Sequence, residues 1–145
     1  MEILVKKLRP QAILPTRGSA AAAGYDLYAC LEESIVIPPH ATAPVGTGLS
    51  MSFPEGWFAA IFARSGLAAK KGLRPANCVG VCDADYRGEY IVALHNDGGE
   101  PRTVEPGERI AQMILLPCQE LHFAETETLP ETDRGEAGFG STGKN

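Results

Sequence analysis

Short runs in which apolar and polar side chains alternate recur along the chain, and this period of two residues constrains the fold more than any other feature. Residues 44–53, PVGTGLSMSF, show the alternation most clearly, as expected of a half-buried strand. The apolar positions of one parity in that stretch are Val45, Leu49, Met51 and Phe53. The content of β-branched and aromatic residues predicts three further strands, at residues 2–8, 89–95 and 109–116.

Turn-forming residues separate these runs, since the 145-residue chain has 16 Gly and 11 Pro. The sequence Asp97-Gly98-Gly99, between two strand-like runs, predicts the tip of a hairpin. Helical signals are few: residues 19–24 (SAAAAG) are too short to hold a helix alone, and residues 67–72 (LAAKKG) favour one or two turns. The pattern therefore predicts an all-β fold, a jelly-roll-like sandwich or barrel with at most one short helix.

The alternation ends after Leu129. We therefore expect one β domain over residues 1–129 and a flexible C-terminal arm over residues 130–145. The arm ends in RGEAGFGSTGKN, in which Phe139 stands among four glycines together with Arg134 and two hydroxyl side chains. Such a segment offers backbone N–H donors and one aromatic ring, which suits an arm that orders on a ligand.

Charge and hydropathy exclude several classes of partner. The formal net charge of −5 leaves no surplus of cations to neutralise a nucleic-acid backbone, although a local basic pocket for one small anion remains possible. No apolar run approaches the roughly 18–20 residues that a membrane helix needs. The first ten residues, MEILVKKLRP, lack the apolar core of a secretory signal, so a cytoplasmic protein is expected.

The four cysteines do not form a metal-binding pattern. Cys30, Cys78, Cys82 and Cys118 contain no CxxC pair, and the three histidines are scattered. The expectation is that all four cysteines are reduced residues of the core.

Three stretches interrupt the strand pattern with polar side chains that are unfavourable in a hydrophobic core. In residues 62–72, Arg64 and Ser65 precede Gly66 at a predicted strand-to-helix junction. A guanidinium, a hydroxyl and free N–H groups there suit a phosphate, while the alternative is a surface arginine and a helix-capping serine.

The other two stretches are residues 77–90 and 107–117. Asp83 directly follows the apolar run CVGVC and is either a base for water or a turn former. Tyr86, three residues on, offers a flat face for a sugar or a base. Gln112 interrupts an apolar run, and it either donates to a phosphate or satisfies a backbone carbonyl.

The order of these stretches is more specific than any of them alone. Five blocks of this sequence resemble, in order and spacing, the five sequence blocks of the homotrimeric dUTPases, the deoxyuridine 5′-triphosphate nucleotidohydrolases. The blocks are AGYDLYA (23–29), ARSGLAAK (63–70), GVCDADYRGE (80–89), GERIAQMILLP (107–117) and RGEAGFGSTG (134–143). The resemblance implies a jelly-roll protomer, three of which share three active sites, each closed by the tail of one protomer.

The resemblance also implies an activity. It is the hydrolysis of dUTP to dUMP and pyrophosphate, with Mg²⁺ carried on the triphosphate. That activity limits uracil incorporation into DNA and supplies dUMP for thymidylate synthesis.

Residue by residue, the resemblance implies distinct roles. Asp83 matches the general base that deprotonates a water for attack on the α-phosphorus, and Tyr86 matches the ring beneath the deoxyribose, which leaves no room for a 2′-hydroxyl. Asn77 and the strand after it match the hairpin that reads uracil. Phosphate contacts are implied for Arg64, Ser65, Gly66 and Gln112. Asp26 is implied to be mainly architectural, and the resemblance leaves open a contact of its carboxylate with metal-bound water.

The tail receives a role in the same way. Phe139 would stack on uracil, and the surrounding groups would wrap the β- and γ-phosphates. Those groups are Arg134, Gly140, Ser141, Thr142 and neighbouring glycine amides. The chain departs from the family pattern at Ala63, Cys82 and Ala137, none of which is a residue assigned to chemistry; a thiol at Cys82 raises the question of sensitivity to oxidation.

Two alternatives stay open at this point. One is a dCTP deaminase or a bifunctional enzyme on the same fold, for which no suitable acid/base carboxylate is evident. The other is a non-catalytic β-sandwich that binds a partner, against which the intact Asp83 block and tail argue.

Overall fold

The computed structural model describes residues 1–138, which form twelve β-strands and one α-helix. The all-β prediction with one short helix is therefore confirmed. The strands are β1 (Leu4–Lys7), β2 (Thr16–Arg17), β3 (Tyr25–Tyr28), β4 (Ile35–Ile37), β5 (Thr42–Gly46), β6 (Leu49–Ser52), β7 (Trp57–Phe62), β8 (Leu73–Pro75), β9 (Val79–Cys82), β10 (Ile91–Asn96), β11 (Arg102–Val104) and β12 (Arg109–Pro117), and the helix α1 is Ser65–Lys71.

The strands form four antiparallel sheets. The largest has the order β2-β3-β12-β7-β9, so that β9 is an edge strand, and the second has the order β5-β10-β8. Two ribbons, β1-β6 and β11-β4, complete the fold. Strand β12 is central because it pairs with both β3 and β7 and also contacts β8 and β10 of the second sheet.

The core lies between these sheets. Fully buried aliphatic side chains come from both, which is what the alternation of apolar and polar residues requires. They include Leu27, Val45, Leu73, Leu94 and Ile110.

The stretch 44–53 is not one strand, as the sequence predicted, but two. Its apolar parity is confirmed, because Val45, Leu49, Met51 and Phe53 are all buried. The chain turns between β5 and β6 at Gly48, whose φ of +68° favours glycine. Thr47 is buried in this turn and donates from Oγ1 to the Tyr90 carbonyl at 2.7 Å. The turn is thereby joined to the chain around Tyr90.

The predicted hairpin at Asp97-Gly98-Gly99 is wrong. Strand β10 pairs with β5 and β8, whereas β11, on the other side of these residues, pairs with β4. The buried Asn96 side chain explains the crossover, because it donates to the carbonyls of Ile37 and Glu100 and accepts from Gly98 N. A hydrogen-bonding core residue thus replaces the hairpin turn that the glycines indicated.

Helix α1 confirms the helical prediction for residues 67–72 and begins two residues earlier. Arg64 is its N-cap and makes no side-chain capping bond, so Ser65 is in the first turn and not a cap. Gly72 ends the helix with φ +69°. Residues 19–24 form turns and bends, and within residues 1–138 no helix is long and apolar enough to cross a membrane.

The cysteines only partly follow the expectation of core residues. All four are free thiols, but Cys30 alone is buried and Cys82 is half-buried. Cys78 and Cys118 are exposed, so the core prediction is wrong for these two. Neither lies at an inward position of a strand, because Cys78 is in the turn before β9 and Cys118 follows β12.

The segment after β12 has no strand up to residue 138, and every side chain from residue 117 to residue 138 is exposed. The division into a domain over residues 1–129 and an arm over residues 130–145 stays a prediction.

Candidate functional site

The predicted site residues between residue 26 and residue 112 fall into two separate clefts. The first, the Asp83 cleft, has a volume of about 260 Å³ and is lined by Asn77, Asp83 and Tyr86 among others. The second, the Arg64 cleft, has a volume of about 310 Å³. It is lined by Gly24, Asp26, Arg64, Ser65, Gly66, Arg109 and Gln112, together with neighbouring residues. No described residue lines both clefts.

Asp83 stands where β9 ends and a turn begins. Its backbone carbonyl accepts a bond from Tyr86 N at 3.2 Å, which fixes the turn. Its side chain is exposed and, within residues 1–138, is in no hydrogen bond or ion pair of this chain. The carboxylate is therefore free to accept a bond from a water or a ligand in the cleft.

Tyr86 is held in one orientation beside Asp83. Its hydroxyl donates to the Glu89 carbonyl at 3.0 Å, and its ring lies 6.0 Å from that of Tyr90, tilted by 54°. A Cβ at Gly88 would collide with the Tyr86 hydroxyl and lie 2.5 Å from Cζ, so the ring keeps this position only because residue 88 is glycine. The ring is 44% exposed, and it thus presents a fixed surface to the cleft.

The backbone of β9 forms one side of the Asp83 cleft. Within residues 1–138, β9 pairs only with β7, so its other edge keeps backbone donors and acceptors for a ligand. Asn77 precedes this strand in a tight turn, in which Val79 N donates to the Asn77 carbonyl at 2.6 Å and Cys78 has φ +62°. The strand edge suits a flat polar group that pairs with the main chain.

The Arg64 cleft is built around Asp26. Arg64 Nε donates to Asp26 Oδ1 at 2.8 Å, and Arg109 Nη1 donates to Oδ2 at 3.2 Å. The Asp26 side chain is only 13% exposed, whereas Arg109 is half exposed. The carboxylate therefore orients two guanidinium groups at one cleft, which gives that cleft the charge of an anion site.

Gln112 serves the backbone, one of its two predicted roles. Its Nε2 donates to the Ala63 carbonyl at 2.9 Å, just before Arg64. A Cβ at Gly24 would lie 2.5 Å from Gln112 Oε1, so this glycine lets the two strands hold the amide. Ser65 and Gly66 follow Arg64, are exposed and line the same cleft.

Of the predicted tail residues, the structure describes Arg134, which lines neither cleft of this chain. Arg134 is exposed and donates from Nε to the Ala137 carbonyl at 2.8 Å, within a local turn. Phe139, Gly140, Ser141 and Thr142 lie outside the described residues.

Three residues of the clefts escaped the sequence analysis. Glu89 and Tyr90 line the Asp83 cleft, and Arg109 lines the other. Tyr90 is 2% exposed, and its hydroxyl has no partner within residues 1–138. Burial raises the pKa of Tyr90 well above its usual range. For Glu89 and Arg109, the only signal in the sequence is that each is a polar residue near the start of a strand, β10 and β12 respectively.

Cys82 lies between the core and Asp83. Burial, and then the negative charge of Asp83, raise the pKa of its thiol. The reactive thiolate is disfavoured there, which argues against the sensitivity to oxidation that its position suggested.

Comparisons with known proteins find relatives that match nearly the whole chain. The family model for dUTPase matches residues 10–143. A deoxyuridine 5′-triphosphate nucleotidohydrolase from Hydrogenobaculum sp. is 45% identical over 143 residues, covering 99% of each chain. The enzyme of the same name from Desulfitobacterium hafniense is 50% identical over 131 residues, covering 90% of this chain and 87% of that one.

A solved structure gives the same result for the fold. The dUTPase of Staphylococcus bacteriophage 80alpha, a G164S mutant with dUpNHpp, superposes with a TM-score of 0.89 at 27% identity and 99% coverage of both chains. This likeness confirms the predicted jelly-roll-like β fold.

Proposed function

The chain belongs to the dUTPase family and is a dUTP diphosphatase, and on that premise we propose that Asp83 activates the water that attacks the α-phosphorus of dUTP. The Asp83 carboxylate accepts a proton from the water, the bond from the α-phosphorus to the bridging oxygen breaks, and pyrophosphate leaves. The observation that carries this role is an exposed carboxylate that has no hydrogen-bond partner among residues 1–138, beside a tyrosine ring held by its own hydrogen bond. Base catalysis of this kind typically contributes about 10²–10⁴-fold.

The Asp83 cleft holds the nucleoside. Tyr86 lies beneath the deoxyribose and excludes a 2′-hydroxyl, because the ring is held by its bond to Glu89 and cannot retreat. The open edge of β9, with Asn77 before it, supplies the main-chain donors and acceptors that read uracil. A site built to pair with one set of polar atoms rejects a base that leaves them unpaired.

The Arg64 cleft holds the triphosphate. Arg64, Ser65 and Gly66 present a guanidinium, a hydroxyl and backbone N–H groups to the phosphates. Gln112 acts through its bond to the Ala63 carbonyl, which fixes the start of this loop. We also propose that Gln112 contacts a phosphate directly, because its side chain lines the cleft.

The separation of the two clefts supports a site shared between protomers of a homotrimer. The nucleoside residues and the phosphate residues line different clefts of one chain, and we place dUTP between the Asp83 cleft of one protomer and the Arg64 cleft of another. The C-terminal arm completes the site by closing over it. Phe139 stacks on uracil, and the groups around the terminal phosphates are Arg134, Gly140, Ser141 and Thr142.

Mg²⁺ fits this site as an ion carried by the triphosphate. Within residues 1–138, no group of three or more His, Cys, Asp or Glu side chains is placed to hold a metal. Asp26 carries the only carboxylate among the described residues of the Arg64 cleft, and both of its oxygens accept from guanidinium groups, so it would hold the ion through a water. When bound, Mg²⁺ neutralises charge on the phosphate oxygens.

A panel of nucleotides tests the proposal. With Mg²⁺, pyrophosphate release from dUTP and none from dTTP, dCTP or UTP is expected, together with loss of turnover when Mg²⁺ is removed by a chelator. Ammonia release from dCTP would instead indicate a deaminase. The oligomeric state is measured separately by light scattering, and a monomer that turns over dUTP would contradict the shared site.

A further inference from the structure

Arg9 lies before the first of the five sequence blocks, which begins at residue 23, and its side chain reaches Glu89, three residues after Tyr86. Its Nη2 forms an ion pair and hydrogen bond with Glu89 Oε1. The same oxygen accepts a bond from Gly48 N at 2.7 Å. The two side chains are 39% and 23% exposed, so this pair is partly shielded from water.

The surrounding backbone is shaped to hold the pair. A Cβ at Gly46 would collide with Glu89 Oε1 and lie 2.8 Å from Arg9 Nη2. Leu8 N donates to the Gly48 carbonyl at 2.7 Å, which fastens the chain just before Arg9. Because Gly46 leaves room and Gly48 donates, the Glu89 carboxylate has one position and not several.

The backbone of Glu89 continues the connection to the Tyr86 ring. Its carbonyl accepts the Tyr86 hydroxyl at 3.0 Å, and Gly88 leaves the space that this hydroxyl occupies. Tyr90 N donates to the Leu49 carbonyl at 2.9 Å on the other side. Two contacts, one to the side chain of Glu89 and one to its backbone carbonyl, therefore connect the Arg9 guanidinium to the Tyr86 ring.

We propose that Arg9 is a positioning residue: it fixes the position of the Tyr86 ring beneath the deoxyribose, and the enzyme thereby rejects ribonucleotides. Arg9 does not line the Asp83 cleft, so its effect passes through Glu89. Loss of the ion pair frees the Glu89 end of the loop, and the ring retreats far enough to admit a 2′-hydroxyl. The inference rests on the proposed function, in which Tyr86 lies beneath the deoxyribose.

The test compares dUTP with UTP as substrates of Arg9→Met, which keeps the length of the side chain and removes its charge. A displacement of 1 Å can cost about 100-fold, so we expect partial loosening to lower the ratio of kcat/KM for dUTP over UTP by about 10-fold. KM for dUTP should rise more than kcat falls, and Arg9→Lys should restore part of the ratio. Glu89→Gln should lower the ratio as Arg9→Met does, and the double variant should add little.

Arg102→Met is the matched control. Arg102 donates to the Lys71 carbonyl at 2.8 Å and lines neither cleft, so its loss should leave the ratio unchanged. An unchanged ratio in folded Arg9→Met and Glu89→Gln would overturn the inference. If neither variant folds, the pair is a general stabiliser and the inference is also wrong. Failure of the unmodified protein to hydrolyse dUTP would overturn the proposed function instead.

Discussion

Arg64 and Asp26 form a half-buried pair, with 2.8 Å between Nε and Oδ1, that joins the end of β7 to strand β3. Because Arg109 binds the other oxygen of the same carboxylate, Asp26 sets the direction of two cations. The geometry gives physical content to the architectural role that the resemblance implied for Asp26.

Asp26→Asn should weaken both stability and substrate binding. The amide cannot accept two charged donors as the carboxylate does, so we expect the free energy of unfolding to fall by about 1–3 kcal/mol and KM for dUTP to rise. Denaturant unfolding and steady-state kinetics measure the two effects. Asp97→Asn is the control, because Asp97 also pairs with an arginine, Arg74, but is 45% exposed, and exposed ion pairs stabilise a fold much less. Equal losses in the two variants would contradict the role of Asp26.

Asp83→Asn should separate chemistry from binding. The side chain keeps its size but cannot take a proton from water, so kcat should fall by about 10²–10⁴-fold. Binding of a non-hydrolysable dUTP analogue, measured by calorimetry, should stay near normal. The neighbouring Asp85→Asn, which removes a carboxylate that lines neither cleft, is the matched control. Normal turnover by Asp83→Asn would remove Asp83 as the base.

Gly88→Ala should displace Tyr86 directly. The new Cβ would collide with the tyrosine hydroxyl, so the ring must leave its bond to the Glu89 carbonyl. We expect the preference for dUTP over UTP to fall by about 10-fold or more, by analogy with the loss of a fitted contact in a specificity pocket. Gly99→Ala is the control, since a Cβ there meets no atom within 4 Å. An unchanged preference in a folded Gly88→Ala would show that the ring does not set sugar selection.

Local composition and alternation together were enough to predict much of the fold, because strands favour β-branched and aromatic residues and bury one face. The predicted strands at residues 2–8, 89–95 and 109–116 correspond to β1, β10 and β12. The prediction of a hairpin at Asp97-Gly98-Gly99 was wrong because a local turn signal does not determine which strands pair. Strand pairing depends on distant partners, and the buried Asn96 amide, bonded to Ile37, diverts the chain to another sheet.

Candidate site residues could be selected from the sequence, but their arrangement in space could not. Asp83, Tyr86 and Arg64 each follow or interrupt an apolar run, which is visible locally. Their division between two clefts depends on the order of strands in the large sheet, to which no local pattern refers. The pairing of Arg9 with Glu89, eighty residues apart, is hidden from the sequence for the same reason.

Cys82 should react slowly with alkylating agents. Burial and the Asp83 charge raise the pKa of its thiol, so at a given pH it has less thiolate than an ordinary cysteine. Raising the pH through the range in which an ordinary thiol ionises should therefore accelerate its alkylation less in the folded protein than in the protein unfolded by denaturant. Pulses of iodoacetamide between about pH 7 and pH 9, read by peptide mass spectrometry, measure both rates. Equal rates would show that the thiol is open to solvent and to oxidation.

Truncation after Pro130 should separate the fold from the activity. Every side chain from residue 117 to residue 138 is exposed and the core uses none of them, so the melting temperature and oligomeric state should hardly change. Turnover of dUTP should nevertheless fall steeply, because the proposed site loses Arg134, the Phe139 ring and the amides around the terminal phosphates. Their loss also leaves the reacting phosphate open to bulk water, which weakens electrostatic stabilisation of the transition state. Arg134→Ala in the full chain tests one contact of the arm and should lose less activity than the truncation. Full activity of a folded, truncated protein would mean that the two clefts suffice and that the tail does not close over them.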